Sequence, residues 1–133
     1  MTWKTYHDRG AVLRDVIAAV DARRDGLLPM DVTGVAEAFG DELTLLGALQ
    51  LRWHTRLAGR VERELERQPD PDAAAAEARR ATARDLPGVR AVIDHYTEHP
   101  LDDRMAQATA IAARKERALL LGRLDMGWGT LVA

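Results

Sequence analysis

The sequence predicts an all-α protein: a single-domain helix bundle of three long and two or three short helices around a central helix at about residues 41–68. Three observations carry this. Apolar residues recur at three- and four-residue spacing through most of the chain, no stretch alternates as a half-buried strand does, and Pro, Gly and Asp fall where helices would start and stop. The chain has 133 residues, enough to bury a core within one domain, so 1–133 is read as a single helical domain. Its 47% hydrophobic and 30% charged residues describe a globular chain, and no internal repeat is apparent.

The first helix is predicted over Tyr6–Arg24, with Leu13, Val16, Ile17 and Val20 on one buried face. Trp3 and Tyr6 extend that face. Asp25-Gly26 stops the helix, since Gly accepts a left-handed conformation, and Leu27-Leu28-Pro29 is an apolar connection laid against the core. Asp31 is placed as the N-cap of a short helix, Val32–Phe39, with Val35, Ala36 and Phe39 inward. Gly40 ends that helix and Asp41 caps the central one.

After Gln68 the run PDPD breaks the chain, and Asp70 with Pro71 opens a new helix. Residues 72–85 combine high helix propensity with small side chains, suited to close packing or to an edge. Leu86-Pro87-Gly88 punctuates. A fifth helix follows to Glu98, with Val89, Val92, Ile93 and Tyr96 on one face, and His99-Pro100 ends it. The last helix runs Leu101–Leu124, striped by Leu101, Met105, Ala108, Ala112 and Leu119; residues 126–133 form a non-helical apolar tail around Trp128.

On a helical wheel the central helix divides in two. From Leu43 to Leu51 it is apolar nearly all round, the pattern of a segment covered on every side by core or by a second subunit. Beyond it Arg52, Arg56, Arg60, Arg63 and Arg67 form one stripe, opposite an arc holding Trp53, Leu57, Val61 and Leu65. Arg60–Glu64 and Arg63–Glu66 relieve the like charges within the helix. Arg52 and Arg56 lack a carboxylate three or four residues away, so acids elsewhere, such as Asp15, Asp21 or Glu116, are their expected partners. The sharper alternative is an anionic ligand or an acidic protein, for which arginine forks are suited.

His54 falls near the centre of the apolar arc, with Gln50 one turn before it. Polar groups so placed need hydrogen bonds, here from each other, from a backbone carbonyl, or from Glu116 at the edge of the last helix's stripe. The functional counterpart is a pocket formed by His54, Gln50 and Glu116, with a histidine–carboxylate pair as base or ligand. The candidate ligand-binding residues are therefore Gln50, Arg52, His54, Arg56 and Glu116. No catalytic residue is assigned, because nothing completes a catalytic set.

Several classes are excluded. There is no cysteine, so disulfides and thiolate chemistry are absent. The residues three before the four histidines are Lys4, Leu51, Val92 and Tyr96, so the Glu-x-x-His motif of di-iron bundles is missing, and no zinc-protease, phosphate-loop or dinucleotide motif is present. His95 and His99 have a metal-clip spacing but lie off the apolar stripe. No cofactor or metal is expected. Residues 32–51 match the apolar and glycine positions of a helix-turn-helix, yet the face that would read DNA, Glu42, Leu43, Thr44, Gly47, Ala48 and Leu51, is apolar and acidic. The net charge of -2 gives no field to recruit nucleic acid.

The opening MTWKTYHDRG lacks a signal peptide's apolar segment, and no run approaches the roughly 18 apolar residues of a membrane span, so a cytoplasmic location is expected. The abundance of Ala, Arg, Asp and Leu resembles high-GC bacterial proteins. The leading functional expectation is association, as a homodimer burying the apolar half of the central helix and the tail; the pocket and the DNA-linked regulator are the alternatives.

Overall fold

The computed structural model describes residues 2–122, with side chains described from 8 to 121. Six helices follow one another: α1 (Thr2–Arg23), α2 (Val35–Phe39), α3 (Glu42–Arg67), α4 (Pro71–Asp85), α5 (Pro87–Glu98) and α6 (Asp103–Gly122). No strand occurs among the described residues, so the all-α bundle stands. No helix among them is long and apolar enough to cross a membrane. The side chains of Trp3 and Tyr6 and the tail 126–133 lie outside what is described.

The start of α3 forms as its sequence dictates: the Thr44 amide donates to the Asp41 carboxylate at 2.9 Å, satisfying one of the donors a helix N-terminus leaves open. Gly40, at φ 84°, provides the left-handed turn between α2 and α3. The α4 start holds likewise, with Asp70 accepting from the Asp72 amide and Pro71 in the first turn. Along α4, Ala74, Ala75, Ala78 and Ala81 are buried, and it is against α3 that this helix packs most extensively. Small side chains serve close helix approach here, not an edge.

Of the expected stops after α1 and before α2, one holds in part and one fails. Gly26 takes a positive φ (75°) as expected, but Arg24 already adopts the left-handed conformation directly after α1 (φ 53°); its Nε donates to the Asp21 carbonyl at 2.7 Å, an anchor that offsets the steric cost of that conformation. Asp31 does not cap α2. Its carboxylate takes two hydrogen bonds from the Arg23 guanidinium, both 2.8 Å, and α2 starts four residues later behind Gly34. Gly34 sits at φ 91°, and a Cβ there would lie 2.7 Å from Val12, so the close seating of this turn on α1 sets where α2 begins. Ala36, expected inward, faces solvent. In the connection ahead, Leu28 is buried and donates its amide to the Tyr96 hydroxyl at 3.2 Å, whereas Leu27 is exposed.

One hydrophobic cluster draws on every helix: Val16 and Val20 of α1, Val35 and Phe39 of α2, Leu45, Leu46, Leu49, Trp53, Leu57 and Val61 of α3, Ala78 of α4, Val89, Val92, Ile93 and Tyr96 of α5, and Met105 of α6. α1 crosses α5 closely at Gly88. A Cβ on Gly88 would lie 2.4 Å from the Val20 carbonyl, and the Gly88 amide donates to Asp21 at 2.9 Å.

The apolar half of α3 is not covered all round. Leu51 is 67% exposed, and Leu65 further on is also exposed, while Glu64 is buried in its place. Along α6 three of the five expected stripe residues, Met105, Ala112 and Leu119, face inward, joined by Thr109, Glu116 and Leu120; Ala108 is half-buried and Leu101 is exposed. Asp102, accepting from the Met105 amide at 2.9 Å, delays the start of α6 past Leu101.

Candidate functional site

Among its described residues α6 fully buries only Met105 and Thr109, so it stands partly off α3 and α5. The gap is a cavity of about 240 Å³ lined from α3 by Gln50, Trp53 and His54, from α5 by Arg90, Ile93 and Thr97, and from α6 by Thr109, Ala112, Ala113, Glu116, Arg117 and Leu120. Spacing explains the lining. Gln50 and His54 are one turn apart, as are Ile93 and Thr97, and Thr109, Ala112, Glu116 and Leu120 descend a single face of α6.

Glu116 is the electrostatic centre of this region. Its Oε1 accepts from Arg90 Nη1 at 2.6 Å and from the Trp53 indole N–H at 3.2 Å; its Oε2 accepts from Arg79 Nε at 2.9 Å. One carboxylate on α6 thereby ties α3, α4 and α5. Arg90 also donates to Asp94 at 2.6 and 2.9 Å, and its guanidinium lies 4.7 Å from the centroid of the Trp53 ring. Burial pushes the Glu116 carboxyl up, but the hydrogen bonds and charges of Arg90 and Arg79 outweigh it and hold the group below its ordinary value. Burial likewise works against the charge of Arg90, and Asp94 and Glu116 reverse that, leaving its value raised.

His54 does not pair with Glu116. Its Nε2 lies 3.2 Å from the Ala112 carbonyl oxygen, and a carbonyl can only accept, so Nε2 carries the proton. Burial lowers the His54 value, outweighing the carbonyl contact and the Glu116 charge that raise it, and the ring is neutral at physiological pH. With Glu116 already bonded to three donors, no histidine–carboxylate base pair forms. Of the satisfiers expected for His54, the backbone carbonyl is the one found.

Gln50 is 8% exposed, and its Nε2 is buried without a hydrogen-bond partner. The Thr97 and Thr109 hydroxyls that share the cavity lining donate to the Ile93 carbonyl at 2.7 Å and the Ala106 carbonyl at 3.0 Å.

Of the five candidates, Gln50, His54 and Glu116 come together around this cavity. Arg52 and Arg56 do not. Arg56 pairs with Asp85 at 3.2 Å across an exposed surface, an acid other than those expected. Arg52 lines a separate, shallower groove with Arg9, Gly10, Leu13, Phe39 and Leu51. Farther along the stripe Glu64 meets Arg60 at 3.3 Å and Arg67 at 3.9 Å, and the expected Arg63–Glu66 pair does not form among the described residues. His95 and His99 stack at 5.2 Å between ring centroids, and among the described residues no three His, Asp or Glu side chains are grouped to hold a metal ion.

Arg79 and Arg90 are the site residues that sequence reasoning missed. The Arg90–Asp94 spacing of four was a local signal, but nothing local links either arginine to Glu116. The chain matches no family model, no curated protein and no solved structure.

Proposed function

We propose that this protein binds a small, largely apolar molecule in the cavity between α3, α5 and α6. One observation carries the reading: Gln50 lines the cavity, and its side-chain nitrogen, Nε2, is buried without a partner. Leaving such a group unsatisfied costs about 1–3 kcal/mol, and a ligand acceptor would recover it. Binding is favoured over catalysis because the ionised groups nearby already bond one another. A fragment screen by thermal unfolding tests this. A ligand at a hundred times its dissociation constant adds about 2.7 kcal/mol, which for a chain of this length raises Tm by roughly 9 °C. The reading fails if no fragment shifts Tm or perturbs the Gln50, His54 and Thr109 resonances.

Self-association is the second reading, favoured by Leu51, 67% exposed at the rim of the groove between α1, α2 and α3. Light scattering at micromolar concentration should then give a dimer mass that Leu51→Glu reduces to a monomer. A monomer mass for the unaltered chain ends this reading. The face bearing Glu42, Thr44, Gly47 and Leu51 offers no basic side chain before Arg52, so DNA-linked regulation gains no support from it.

A further inference from the structure

We infer that the cavity selects an uncharged ring-sized molecule bearing one hydrogen-bond acceptor, which meets Gln50 Nε2. The inference rests on the pocket reading above and names the chemistry of its ligand.

Three observations converge. The first is charge. Around the cavity Arg90 is held by Asp94 and Glu116, and Glu116 by Arg79, Arg90 and Trp53, so these ions offer a ligand little further attraction. Arg117, exposed at the rim, is the one lining cation without an ion pair among the described residues. A pair formed there is screened by water and adds little, whereas a charge carried past it must be desolvated.

The second is the direction of the hydrogen bonds. Thr97, Thr109 and His54 donate to carbonyls of Ile93, Ala106 and Ala112. Gln50 Nε2 is the buried side-chain atom left without a hydrogen-bond partner among the described residues, and Gln50 lines the cavity. A ligand acceptor that the Gln50 side chain turns to meet completes it.

The third is size. An apolar cavity of about 150 Å³ accommodates benzene. The cavity here is about 240 Å³, which by proportion admits roughly ten non-hydrogen atoms. That describes a fused bicycle or a substituted ring.

An isosteric series separates these terms: indane, indanone, aminoindane and indane carboxylate, titrated into the intact chain with the Gln50 side-chain amide followed by NMR. Indanone is expected to bind about tenfold tighter than indane, as one recovered buried donor implies, with both charged members weaker than indanone and the Gln50 amide protons moving with the ketone alone. In Gln50→Leu the preference for indanone over indane should vanish. In Gln50→Glu, which places an anionic acceptor at the same point, aminoindane should become the tightest member. The inference is overturned, with the pocket reading intact, if indane matches indanone or a charged member binds tightest to the unaltered chain. If no member binds at millimolar concentration, both fall.

Discussion

Replacing Glu116 by Gln preserves shape and removes one charge at the point where four helices meet. The cost can be worked from the contacts. Arg90 is mostly buried, and its hydrogen bond to Glu116 is charged at both ends; a bond of that kind contributes about 1.5–3 kcal/mol. Arg79 is 42% exposed at its side chain, so its pair is discounted to about 0.2–1 kcal/mol. The Trp53 N–H keeps an acceptor if the new amide turns its oxygen toward it, and Asp94 still neutralises Arg90. The loss is therefore about 2–4 kcal/mol, or roughly 7–14 °C in Tm. Urea unfolding of both proteins across a pH series measures it. The sign follows from linkage: the folded value of Glu116 lies below its ordinary 4.5, so its stabilisation is complete above that value and disappears as pH falls through the folded one. The gap between wild type and Glu116→Gln should hold steady at neutral pH and close in acid. A loss under about 0.5 kcal/mol, or a gap that persists in strong acid, would refute the hub as drawn.

Other substitutions probe separate links. Gly88→Ala forces a Cβ against the Val20 carbonyl at 2.4 Å and should destabilise by about 3 kcal/mol in urea, because backbone there must move. Its control is Gly59→Ala on α3, where nothing lies within 4 Å; removing that glycine should add about 0.5–1 kcal/mol. His54 has a folded value below its ordinary 6.5, so the unfolded chain takes up the proton first and stability falls as pH drops through that range. His54→Gln should flatten the decline as pH falls from neutral through the ordinary histidine value, and an unchanged slope would show that His54 is not its source.

Much of the fold was legible because helix signals are local. The Asp41 and Asp70 caps, the Pro71 start and the face of Val89, Val92, Ile93 and Tyr96 each depend on residues within two turns. Errors came where tertiary contact overrode them. Arg23 drew Asp31 away from its capping position, and the α1 crossing placed Gly34 and α2 where a propensity argument would not. On α6 the apolar pattern found Met105, Ala112 and Leu119 but not the inward Thr109, and it placed Leu101 inward, because the face is anchored by the carboxylate Glu116 and apolar periodicity does not register polar inward positions.

The site was half legible for the same reason. An inward Gln50 and His54 one turn apart were visible on a wheel, and so was Glu116 nearby. What Glu116 bonds was not, since Arg79 and Arg90 lie 37 and 26 residues away in sequence. Arg52 and Arg56 are neighbours in sequence of the cavity residues Trp53 and His54 and nothing more; the helix turns them toward other surfaces.

The claim that the cavity is built to receive a ligand acceptor is tested most directly by unfolding Gln50→Leu in the absence of any ligand. A binding wall that holds an unsatisfied amide should become more stable when the amide is replaced by a side chain of similar volume, by about 1–2 kcal/mol. A loss of more than about 1 kcal/mol would mean that Gln50 is already satisfied in the free protein, and the proposed binding site would lose its foundation.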